Sequence, residues 1–122
     1  MFSLSSHQTY YLYAQPCDMR KSFDGLCGLV RNELKKSPTN GSVYIFLNRR
    51  ATHIKLLQWE AGGFVLYYKR LEQGTFRLPL KTGNTTAPGW DVSYAELVLM
   101  VQGIQVSQLV KRKRYVGPQK TG

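Results

Sequence analysis

The sequence has 122 residues, enough to bury one hydrophobic core but hardly two. Lys and Arg number 17 against 7 Asp and Glu, a formal net charge of +10 that favours polyanions, nucleic acid foremost, over acidic or apolar partners. No apolar run approaches the roughly 18 residues of a membrane span, and no N-terminal signal pattern is present, so a cytoplasmic setting with no membrane partner is expected.

In chain order, residues 1–8 are small and polar and read as a frayed start. Thr9 to Tyr13 carries the aromatic content of a strand, ended by Pro16. From Asp18 the period changes. Phe23, Leu26, Cys27, Val30 and Leu34 recur at helical spacing, predicting a helix from Asp18 to Lys36, capped by Asp18 or Ser22 and stopped by Ser37 to Gly41. Gly25 and Gly28 weaken that helix by up to about 1 kcal/mol each relative to Ala, and small residues there admit close approach of another element.

Val43 to Leu47 is apolar throughout, as in a central strand covered on both faces. Thr52 to Glu60 and Phe64 to Leu71 predict a hairpin, with Gly62-Gly63 supplying the turn. Parity then places His53, Lys55, Leu57 and Trp59 on one face with Phe64, Leu66, Tyr68 and Arg70. A further short strand is expected from Thr75 to Leu78, and a loop from Lys81 to Trp90. Ser93 and Glu96 form a capping box for a short helix to Gln102, with Tyr94, Leu97, Val98 and Val101 as its apolar stripe and Gly103 as its stop. The sum is an α+β fold. An antiparallel β-meander sheet packs with one longer N-terminal helix and one short C-terminal helix in a single domain, 1–106, followed by a basic flexible tail, 107–122.

The chemistry-bearing residues do not point to an enzyme. A metal-dependent nuclease needs two or three converging carboxylates. Of the 7 acids, only Asp18, Asp24 and Glu72 could serve, and each has a simpler role as helix cap, first-turn acid or partner of a nearby Arg. His53 has no sequence-local carboxylate or nucleophile, and the spacing of Cys17 and Cys27 fits neither a zinc site nor a disulfide framework. No catalytic residue, metal site or cofactor is expected. Phosphate binding is better supported. Arg49, Arg50, Lys55, Lys69, Arg70 and Arg77, interleaved with Trp59, Tyr67 and Tyr68, supply cations for backbone contacts and flat rings for stacking on bases.

Four segments carry a resemblance: Asp18-Met19-Arg20-Lys21-Ser22-Phe23-Asp24-Gly25-Leu26, Tyr44 to Arg50, Lys55-Leu56-Leu57-Gln58-Trp59, and Gly63-Phe64 with Tyr68 to Phe76. In this order they resemble the TnpB accessory proteins encoded by the second open reading frame of IS66-family insertion sequences, over roughly residues 10 to 104. Ala51, where many relatives carry a third basic residue, and Leu78-Pro79, where many carry Trp-Pro, depart from the pattern. The resemblance implies a small protein encoded beside a separate DDE transposase and needed for efficient transposition. It is not to be confused with the much larger RNA-guided nuclease that shares the name, whose acidic catalytic and zinc-binding motifs are absent here. Its motif basics fall on Arg20, Lys21, Arg49, Arg50, Lys55, Lys69 and Arg70.

The expected function is therefore a non-catalytic accessory factor of transposition that binds DNA, with the element ends as the expected target. Those seven residues and the tail cations Lys111, Arg112, Lys113 and Arg114 would contact phosphates. The alternative is an interaction module that docks on the transposase through the aromatic face of the sheet; a metal-dependent endonuclease is the least supported. The oligomeric state is not readable from the sequence.

Overall fold

The computed structural model describes residues 4–78 and 86–103. Its elements are β1 (Tyr10–Tyr13), α1 (Phe23–Asn32), β2 (Val43–Leu47), β3 (His53–Glu60), β4 (Gly63–Arg70), β5 (Gly89–Val92) and α2 (Tyr94–Gln102). The five strands form one sheet in the order β4-β3-β2-β1-β5. β2, β3 and β4 run antiparallel in succession, but β1 pairs with β2 in parallel, Tyr10 opposite Val43 and Leu12 opposite Ile45. β1, α1 and β2 thus form a strand–helix–strand crossover, the connection that parallel neighbours require.

Side chains alternate between two covered faces. On one, α1 buries Leu26, Cys27 and Val30 against Tyr44, Phe46 and Leu57. On the other, α2 buries Leu97 and Met100 against Leu12, Ile45, Ile54, Leu56 and Phe76. β2 lies between covered layers and is buried at every position, as its unbroken apolar run predicts.

The expected architecture is overturned in three respects. The sheet is mixed, not an antiparallel meander. Its fifth strand is Gly89–Val92, part of which falls in the segment read as a loop, whereas Thr75 to Leu78 forms only an isolated bridge at Thr75. The N-terminal helix is not long: it starts at Phe23 and ends at Asn32, about the length of α2. The carbonyls of Met19 and Lys21, which a longer helix would use internally, instead accept from the Lys55 ammonium. At the other end Lys35 turns left-handed (φ 57°), and the Lys36 N–H reaches back to the Val30 carbonyl at 3.0 Å.

Smaller expectations divide. The capping box on α2 forms, with Ser93 Oγ accepting from the Glu96 N–H and Glu96 Oε1 from the Ser93 N–H. Its buried stripe is Leu97 and Met100, while Tyr94 stays exposed. Ser22 occupies the N-cap position of α1 without a side-chain bond. The glycines of α1 serve no close approach, since a Cβ on Gly28 would meet nothing and one on Gly25 only the Lys21 side chain. Gly89 is the residue that does: a Cβ there would collide with the Leu12 carbonyl of β1. Residues 4–8 are not frayed, because the Tyr10 hydroxyl donates to the Ser5 carbonyl at 2.7 Å and Leu4 packs on the core.

Candidate nucleic-acid interface

β2 and β3 are joined by a turn organised by Asn48. Its side-chain Oδ1 accepts from the N–H groups of Thr52 and His53, each at 2.9 Å, and its Nδ2 donates to Thr52 Oγ1. The Ala51 N–H donates to the Asn48 carbonyl at 3.0 Å, with Ala51 itself left-handed at φ 55°. Outside the turn, Phe76 N–H donates to the Ala51 carbonyl and Leu71 N–H to that of Thr52. Arg49 and Arg50 are thereby presented on a backbone fixed from both sides. Both are exposed, and among the described residues neither has a carboxylate partner.

The hairpin parity holds. His53 lies opposite Arg70, Lys55 opposite Tyr68 and Trp59 opposite Phe64. The cations assigned to this end nevertheless have different fates. Lys55 is only 4 % exposed. Its Nζ donates to the carbonyls of Met19 (2.8 Å) and Lys21 (2.6 Å) and sits 4.5 Å from the centre of the Tyr68 ring. Its ammonium is thus engaged structurally, through packing against residues distant in the chain. Lys69 points to the opposite face, where its Nζ donates to the Val101 carbonyl at 3.0 Å in the last turn of α2, the favourable end of that helix for a cation.

Arg20 and Arg70 are exposed but paired, with Asp18 at 2.7 Å and Glu72 at 2.9 Å. Hydrogen bonds from Arg20 hold the Asp18 carboxyl at about 2, below the usual carboxylate range. Surface pairs of this kind contribute little stability and can exchange for a phosphate. Lys21 and Arg77 are exposed. Lys111, Arg112, Lys113 and Arg114 lie outside the described residues, as does the tail 107–122.

One aromatic residue joins this end. Tyr68 is 52 % exposed over Lys55, with the His53 ring 6.0 Å away, and His53, Tyr68 and Arg70 line a shallow depression of about 240 Å³. Trp59 is half-buried at the far end of the hairpin against Phe64, and Tyr67 packs on the α2 face. Because Met19 and Lys21 share the ammonium that Tyr68 covers, the Arg20-Lys21 segment borders the same patch. Tyr68, Arg70 and Lys21 thus border one patch, which Asn48, through its bond to His53, ties to the Arg49-Arg50 turn. Sequence reasoning missed Asn48 as its organiser, although an Asn at the start of a turn is a known source of local side-chain-to-backbone bonds.

Other candidate chemistry is occupied structurally. Asp18 and Glu72 are engaged by arginines, and among the described residues no three His, Cys, Asp or Glu side chains gather. Cys17 and Cys27 are free and buried, and burial pushes both thiols up, away from the reactive thiolate.

The fold and this surface define a small basic protein that displays a rigid cationic turn at one end of a mixed sheet. The chain belongs to the IS66 Orf2-like protein family, whose model matches residues 8–111, and it is an insertion-sequence accessory protein of that type. The resemblance read from its four segments is borne out. It is similar to the uncharacterized protein y4jC of Sinorhizobium fredii, 33% identical over 107 residues that cover 87% of this chain and 86% of the relative. The uncharacterized protein y4hO of the same organism is 32% identical over 87 residues, 71% of this chain and 72% of that one. No solved structure matches the chain. Among the described residues, no helix is long and apolar enough to cross a membrane.

Proposed function

We propose that this protein is a cytoplasmic, non-catalytic factor of IS66-type transposition that binds DNA through the Arg49-Arg50 turn and the adjoining Tyr68 patch. The carrying observation is the turn itself: two exposed guanidinium groups without a carboxylate partner among the described residues, on a backbone that Asn48 holds in place. Preorganised arginines lose little on meeting phosphate, and Lys21, Arg70 and the overall charge of +10 extend the positive field around them.

Electrophoretic shifts with element ends and with random duplex, over a salt series, test this reading. Each neutralised phosphate adds about −0.9 to the slope of log affinity against log salt. The Arg49→Ala/Arg50→Ala double variant should therefore weaken binding and flatten the slope by about 2 units. Unaltered affinity and slope in that variant would remove the turn from the interface. A second reading draws on the exposed Tyr68 beside Arg70, a combination that also suits a protein partner. Co-purification with the transposase of the same element after nuclease treatment distinguishes direct docking from a DNA bridge.

A further inference from the structure

β1 and β2 run parallel, and both of their carboxyl ends open into one crevice of about 290 Å³. The region beyond the carboxyl ends of parallel strands is where open sheets place ligands, because the connections leaving those strands diverge. Here the connection after β1 turns away toward α1 and that after β2 turns back into β3. The space between them is walled by Leu12, Tyr13, Leu47, Leu78 and Trp90, and Arg49 stands in its lining.

The walls are mostly apolar, with the Trp90 ring among them, whereas the Tyr13 ring packs on Phe46 in the other layer. Trp90 is half-buried, while Arg49 and Leu78 on the lining are exposed, so the crevice opens to solvent on the side of the cationic turn. Its volume lies near the lower limit of ligand pockets, room for one flat ring system and not for an extended cofactor. An occupant needs an apolar, stackable body and a negative group several bonds away, within reach of Arg49. A nucleotide within DNA has both, and the charge of the rim argues against an uncharged aromatic side chain of a protein.

We propose that this crevice receives one unstacked nucleobase from a single-stranded DNA end, with Arg49 on the adjoining phosphate. This rests on the reading that the protein binds DNA, and it specifies which DNA. A base held in stacked duplex cannot reach the walls, whereas a base in an overhang or at a frayed terminus can.

The molecule has 2 tryptophans, so Trp59→Phe leaves Trp90 as the sole indole and a direct reporter on the crevice wall. The full chain carrying this substitution is titrated with a blunt duplex, the same duplex with a short single-stranded extension, and a free mononucleotide. The extended duplex should quench Trp90 and bind about tenfold more tightly than the blunt one, as expected for one stacked base. The mononucleotide should bind much more weakly than either. Ala14→Phe, which fills the crevice from the β1 connection, should abolish the preference for the extension while retaining blunt-duplex binding. Affinity measured on the unsubstituted protein repeats the comparison independently of both variants. Equal binding of blunt and extended duplex with Trp90 unquenched overturns the crevice site and leaves DNA binding standing. Absence of binding to every duplex overturns both. A mononucleotide as tight as the extended duplex overturns the assignment to DNA ends.

Discussion

At the scale of single residues, what separates the cations is which oxygen each one finds. Lys55 finds two main-chain carbonyls and a ring, Lys69 a helix terminus, Arg20 and Arg70 a neighbouring carboxylate, and Arg49 and Arg50 solvent. Their charge is identical in the sequence; their availability to a phosphate is not. Lys55→Met keeps the stem and removes the ammonium, leaving the carbonyls of Met19 and Lys21 without that donor. The expected cost is about 2–3 kcal/mol of folding stability, read as a lowered urea midpoint, with the DNA affinity of the folded protein unchanged. A variant as stable as the parent that binds DNA less well would return Lys55 to the interface. Nothing local marks Lys55 for burial, because its acceptors lie more than thirty residues earlier in the chain. Arg49 and Arg50 were legible because a tight turn between two long strands has few places to hide a side chain.

At the scale of elements, the hairpin was readable and its turn only nearly so. Glu60 pairs with Gly63, so the two central residues are Ala61 (φ 50°) and Gly62 (φ 83°), not Gly62 and Gly63. The faces are unaffected because the strand parity is the same. A left-handed Ala carries a steric penalty of roughly 1–2 kcal/mol that Asn partly escapes. Ala61→Asn is therefore expected to stabilise the protein by about 0.5–1 kcal/mol, raising its thermal midpoint by a few degrees; a lower midpoint would show that the turn is not of this type. β5 escaped notice because its alternation, Trp90-Asp91-Val92, spans only three residues and follows a stretch rich in turn residues. The parallel pairing left a usable trace, since strand, helical stripe and strand follow one another from Tyr10 to Leu47, the spacing a crossover needs. The shortened α1 left none, its start being set by Lys55 from β3.

At the scale of the whole molecule, two apolar layers share one sheet, and neither α1 nor α2 has another surface to pack on among the described residues. Loss of either layer should therefore weaken the other, and unfolding should be a single cooperative step. Leu26→Ala under α1 and Leu97→Ala under α2, both at fully buried sites, should each cost about 3 kcal/mol. In each, tryptophan fluorescence and far-ultraviolet circular dichroism should shift together. Two separated transitions in the Leu97→Ala variant would show that the α2 layer melts independently.

The place of β1 has a consequence for how the chain is made. β1 lies between β2 and β5, with Tyr10 opposite both Val43 and Val92. A ribosome that has released the first four strands has therefore produced a sheet whose earliest strand is still bare along one side. Until residues 89–92 emerge, the backbone groups of Tyr10 to Tyr13 are an open template for any other nascent chain. The brevity of β1, four residues, limits that exposure during synthesis, and the arrival of Gly89, with no side chain to hold the strands apart, closes it.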